Sequence, residues 1–136
     1  MAKPVSIYNE IVNLNYSLLL FGGNLPKTNT MLRRQSERVI DFSTDMLVHC
    51  SEALQEDNLN ERIRQLRTLK TNLLSVDTIV KMWYNLPKRD IAKKFPIVIT
   101  QNQYAIYGER FSNIAYSVKR WIKATESQMT EDPKKM

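Results

Sequence analysis

The single histidine, His49, stands beside the single cysteine, Cys50, and the two are the first place to look for a nucleophile with its base. The surrounding spacing puts both on one long helix, where adjacent residues point about 100° apart. They do not make a nucleophile–base pair by themselves, and partly buried bundle positions account for both. One cysteine cannot close an internal disulfide, and one histidine beside it cannot build a zinc site. The acidic residues are scattered, with no Glu-x-x-His motif of the kind that builds a di-iron bundle site. A phosphate-cradling Gly-x-x-x-x-Gly-Lys loop and a dinucleotide Gly-x-Gly-x-x-Gly turn are both absent from the sequence. The sequence therefore reads as a non-enzyme with no cofactor and no metal.

The basic side chains carry more information. The chain holds 20 Lys and Arg against 14 Asp and Glu, a formal charge of +6. Residues 1–57 sum to −2, residues 58–125 to +9 and residues 126–136 to −1. A field that lopsided favours an anionic partner, with a solvated basic surface as the plain alternative. The candidate contact residues are Arg64, Arg67, Lys70, Lys81, Lys88, Arg89, Lys93, Lys94, Lys119, Arg120 and Lys123. They are expected to form one continuous patch where the third helix meets the fourth, binding phosphates through charge and counter-ion release. Tyr84 and Tyr116 lie off the apolar stripes, whereas Trp83, Tyr104, Tyr107, Phe111 and Trp121 lie on them and read as core. Recognition of backbone and shape, with little reading of base sequence, follows from that.

Four helices must position these groups. Ile7, Ile11, Leu14, Leu18 and Phe21 recur at steps of four and three, and Gly22-Gly23-Asn24 stops the run, the glycines being suited to a left-handed end. Leu25-Pro26-Lys27 makes a turn, and Thr28 or Thr30 can cap the next helix. Its stripe is Leu32, Ser36, Val39, Ser43, Met46, Cys50 and Ala53. After the polar Glu56-Asp57-Asn58, Asn60 can cap a third helix with Ile63, Leu66, Leu69, Leu73, Val76, Val80 and Trp83 on its apolar face, closed by Leu86-Pro87. Thr100-Gln101-Asn102-Gln103 fits a capping box, and Tyr104, Tyr107, Phe111, Ile114, Val118 and Trp121 follow at helical spacing.

The chain of 136 residues, 43% hydrophobic and 25% charged, suits one all-α domain: an up-down-up-down antiparallel four-helix bundle over residues 1–127, with 128–136 as a disordered polar tail. The longest apolar run, Leu18 to Phe21, has four members, far below the roughly 18 residues of a membrane span. The first residues lack the pattern of a secretion signal, so a cytoplasmic protein with no membrane partner is expected. Pro87 to Ile99 forms a long connection with four cations and two prolines. Its Phe95, Ile97, Val98 and Ile99 should pack either on the bundle end or on a neighbouring subunit. Tyr8, Val12, Leu19 and Leu20, with Ile106, Ala115 and Ile122, are apolar beyond the primary stripes. They mark either a subunit contact or a wide core stripe.

Several short segments resemble a known family. They are Leu25-Pro26-Lys27, Leu32-Arg33-Arg34, Arg64-Gln65-Leu66-Arg67, Lys81-Met82-Trp83-Tyr84-Asn85-Leu86, Gln103-Tyr104 and Ser117-Val118-Lys119-Arg120-Trp121-Ile122-Lys123. Together, across Tyr16 to Thr125, the chain resembles the accessory variability determinant (Avd) proteins of diversity-generating retroelements. Many of those relatives carry small residues before the tryptophan, where this chain has Lys119 and Arg120. The four-helix proteins encoded by intervening sequences within large-subunit ribosomal RNA genes are a similar sister group. The Avd resemblance implies a barrel-like homopentamer of four-helix bundles with a positively charged surface. It implies association with the reverse transcriptase of the same retroelement and with its template-repeat RNA, or with DNA or an RNA–DNA hybrid. The protein would support adenine-mutagenic cDNA synthesis and catalyse nothing itself. A structural module docking on an acidic protein without nucleic acid is the alternative.

Overall fold

The computed structural model describes residues 4–23, 25, 29–89 and 96–131. Among them the chain forms four helices and no strand: α1 (Pro4–Gly23), α2 (Thr30–Gln55), α3 (Leu59–Arg89) and α4 (Gln101–Glu131). Contacts run in a ring, α1 on α2, α2 on α3, α3 on α4 and α4 on α1, with no close backbone approach across either diagonal among the described residues. This is the arrangement of a four-helix bundle. Its centre is one cluster to which all four stripes contribute, including Ile11, Leu14, Val39, Met46, Leu66, Leu73, Trp83, Tyr107 and Ile114. Tyr104 and Phe111, expected in the core, are half-buried and pack against its edge.

The ends of the helices follow local chemistry, in places other than the residues the sequence pointed to. Asn29, rather than Thr30, caps α2: its side-chain oxygen accepts from the Leu32 amide at 3.1 Å, and Thr28 lies outside the described residues. Asn58, rather than Asn60, caps α3 in the same way, accepting from the Glu61 amide at 3.1 Å. Asparagine competes well with threonine at this position because its short carbonyl reaches the free N–H two or three residues on. α3 does not close at Leu86-Pro87 but continues to Arg89 with Pro87 inside its last turn. Proline's fixed φ is near-helical, so the last turn can include it, although its missing N–H removes one i→i−4 bond, and the helix ends two residues later. Thr100 and Gln103 do form the capping box: the Gln103 amide donates to the Thr100 hydroxyl at 3.1 Å and the Thr100 amide to the Gln103 carbonyl oxygen at 3.0 Å. α4 then runs through Glu131, so residues 128–131 are helical rather than part of a tail.

Gly22 and Gly23 lie within α1 and neither adopts a left-handed backbone. The constraint on Gly22 is proximity, since a Cβ there would sit 2.5 Å from the Ser36 hydroxyl oxygen of α2. In the long connection, Val98 and Ile99 are buried in the core cluster, which is the local packing one reading expected. Ile97 stays 75% exposed, and Phe95 lies outside the described residues.

Each of the four helix contacts carries a polar bridge. Asn15 of α1 donates to the Ser43 hydroxyl of α2 at 2.8 Å. Between α2 and α3, the Trp83 indole donates to Gln35 at 3.0 Å, and His49 bonds Gln65 at 2.6 Å. From α4 the Tyr107 hydroxyl donates to Asp77 of α3 at 2.8 Å. Arg110, also from α4, donates to the Asn13 carbonyl of α1 at 3.1 Å and to the Ser17 hydroxyl. Asp77 is 6% exposed, and its second oxygen meets the Lys81 ammonium at 2.8 Å, so the buried carboxylate is bonded at both ends. Lys81 is held above its ordinary pKa by that bond and by the charge of Asp77. Burial, then the bond to Asp77, pushes the Tyr107 phenol far above the ordinary tyrosine value.

Two stability effects follow. Thr100→Ala removes half of the capping box and should lower unfolding free energy by about 1 kcal/mol in urea titration. Tyr107→Phe leaves one Asp77 oxygen without its buried donor and should cost about 1–3 kcal/mol. Unfolded tyrosine ionises at about pH 10, whereas folded Tyr107 keeps its proton there. Its contribution is therefore complete below pH 10 and falls as pH rises further. The gap between wild type and Tyr107→Phe should narrow above about pH 10 when unfolding is measured across that range.

Candidate nucleic-acid interface

Burial of Tyr107, Ile114, Val118 and Trp121 turns one side of α4 inward. At 3.6 residues per turn the opposite side must then carry Tyr116, Lys119, Arg120 and Lys123, and all four are exposed. They line one hollow of about 430 Å³ together with Ala124 and Ser127, with no acidic residue in the lining. Arg120 donates to the Tyr116 hydroxyl at 2.7 Å, one helical turn away. Lys123 also borders an adjoining hollow with Glu126, Ser127 and Thr130.

Glu126 leads on to α3. It lies 3.8 Å from the Arg67 guanidinium, and both border a groove of about 630 Å³ with Arg64, Thr68 and Thr71. Arg64 is exposed and pairs with Glu61 at 3.1 Å, while Lys70 is exposed about one turn beyond Arg67. Exposed pairs of this kind are worth little and exchange readily with a phosphate. The early part of α3 and the late part of α4 thus share one basic region, containing Arg64, Arg67, Lys70, Lys119, Arg120 and Lys123.

The remaining described candidates lie elsewhere. Lys81, Lys88 and Arg89 sit toward the far end of α3, which at about 1.5 Å per residue puts Lys88 about 31 Å along the helix from Arg67. Among the described residues the candidates therefore fall into two groups, because α3 spaces its cations along its length. In this second group Lys81 is bonded to Asp77, and the Lys88 ammonium stands 3.7 Å from the centre of the Tyr84 ring. Tyr84 stacks on Tyr104 at 3.9 Å with the rings 6° apart. Lys93 and Lys94 lie outside the described residues.

The catalytic candidates are tied up structurally. Cys50 is fully buried and its thiol is pushed up to about 11 by that burial, so it is protonated at neutral pH. His49 is bonded to Gln65 and lies 3.9 Å from Glu52. Among the described residues, no three His, Cys, Asp or Glu side chains are placed to hold a metal ion, and no helix is long and apolar enough to cross a membrane. Sequence reasoning missed Asp77 as a core residue, although it falls in the apolar register four after Leu73 and three before Val80. It also missed Ser127 beside the basic face, which no charge or periodicity signal distinguishes.

No protein-family model, curated protein or solved structure matches this chain. The interface is therefore read from its own chemistry. An exposed run of three cations with a tyrosine, unopposed by carboxylates within its hollow, is suited to a phosphate backbone.

Proposed function

We propose that this chain is a non-catalytic accessory subunit of a diversity-generating retroelement. It binds the element's reverse transcriptase and template-repeat RNA, holds them in a productive arrangement and supports mutagenic cDNA synthesis. The observation that carries the RNA-binding part is the outward face of α4, where Lys119, Arg120 and Lys123 stand exposed together. The retroelement context rests on the sequence resemblance. Proteins of that kind work in the cytoplasm, and this one is assigned there.

The bundle is proposed to run up-down-up-down. Support comes from pairs joining the start of one helix to the end of the next: Gln35 with Trp83, His49 with Gln65, Arg67 with Glu126, and Tyr84 with Tyr104. The unit of function is proposed to be a homopentamer. Val12, Tyr16, Leu19 and Leu20 of α1 and Ile106 of α4 are exposed, supporting a subunit contact. Of the other surplus apolar residues, Tyr8, Ala115 and Ile122 pack against the core as a wide stripe would.

The triple variant Lys119→Gln/Arg120→Gln/Lys123→Gln should weaken RNA binding by about tenfold or more and flatten the log–log salt slope by about 2, measured by fluorescence anisotropy. Unchanged binding at moderate salt removes the assignment. Binding of an acidic protein but of neither RNA nor DNA selects the structural-module reading instead. Light scattering of the purified chain should give five times the 15.9 kDa chain mass. A monomer mass overturns the assembly.

A further inference from the structure

Two tyrosines accompany the basic residues, each with a cation one helical turn away, and only one of the two is stacked on another ring. The Tyr84 ring is already in use, stacked on Tyr104 at 3.9 Å and approached by Lys88 at 3.7 Å. The Tyr116 ring is 60% exposed. Arg120 donates to its hydroxyl at 2.7 Å, and the guanidinium stands over one side of the ring at 5.5 Å from its centre, so a base would take the other face. The ring borders the hollow of about 430 Å³ on the outside of α4, with Lys119, Arg120 and Lys123 around it.

We infer that Tyr116 is a stacking platform for one unpaired base of a single-stranded RNA, with Lys119, Arg120 and Lys123 holding the phosphates on either side of it. This rests on the RNA-binding reading above and names the form of RNA that the site takes. A base within a duplex has both faces covered by its neighbours and offers nothing to an outward-facing ring. An unpaired base offers a free face, whatever its identity, so the site reads strandedness rather than sequence. The bond from Arg120 fixes the Tyr116 side chain, so less side-chain freedom is lost when a base arrives. The same guanidinium lies within reach of a phosphate flanking the stacked base, which couples the two kinds of contact.

The test uses the full chain with three labelled probes: a uridine oligonucleotide of about ten residues, an abasic strand of equal length, and an RNA duplex. Tyr116→Leu should lower affinity for the uridine strand by about tenfold, within the range for loss of one stacked base, and leave the salt slope unchanged. Its affinity for the abasic strand and the duplex should match wild type. Tyr116→Phe, which keeps the ring and loses the hydroxyl, should retain at least most of the affinity for the uridine strand. Circular dichroism checks that these exposed-site variants remain folded. If Tyr116→Leu binds the uridine strand like wild type while the triple glutamine variant does not, stacking is overturned and the RNA-binding reading stands. An equal loss on all three probes also overturns stacking. Failure of the wild-type chain to bind any probe overturns both.

Discussion

Burial of Tyr107, Ile114, Val118 and Trp121 fixes the rotation of α4 about its own axis, and the functional surface depends on that rotation. A helix buried on one side has no freedom to choose what it shows on the other. With those four side chains inside, Tyr116, Lys119, Arg120 and Lys123 must face water within one stretch of about two turns. The driving force is apolar burial, which is non-directional, yet its product is a defined polar face.

Apolar stripes alone would let the helices slide or rotate past one another. The polar bridges oppose this, most of all where the groups are buried, as between Tyr107 and Asp77, because a buried donor or acceptor is costly when misplaced. Asp77 is the most demanding of them: its carboxylate is buried and finds the Tyr107 hydroxyl on one oxygen and the Lys81 ammonium on the other. Breaking such a group free of its partners leaves uncompensated charge in the core. The Tyr107 end of that bridge lies on α4, the same helix as the basic face, about two and a half turns before Tyr116. Core specificity and presentation of the cations are thereby linked through one rigid element.

Legibility from sequence varied with the range of the interaction. The four helices, their stripes and the Thr100–Gln103 capping box were readable because each depends on residues within one or two turns. The other caps fell to Asn29 and Asn58, neighbours of the threonines and asparagine first considered, since several adjacent residues could serve and only the backbone path selects one. Gly22 shows a subtler difference. Its presence was legible, but its reason is the approach of Ser36 from α2, which no local pattern contains. Among the site residues, exposure of Lys119, Arg120 and Lys123 on one face followed from spacing. Division of the cations into two groups did not, because charge counts carry no length scale.

By itself the sequence determined that this is an all-helical chain with a basic second half, and which side of each helix is apolar. Those properties are set by residue type and by the period of 3.6, both written along the chain. Only the tertiary structure decided that Arg67 meets Glu126, that Asp77 meets Tyr107, and that the Tyr84 ring is stacked on Tyr104 while the Tyr116 ring is exposed. Those outcomes depend on distances between residues far apart in sequence, and such distances exist only once helices have packed.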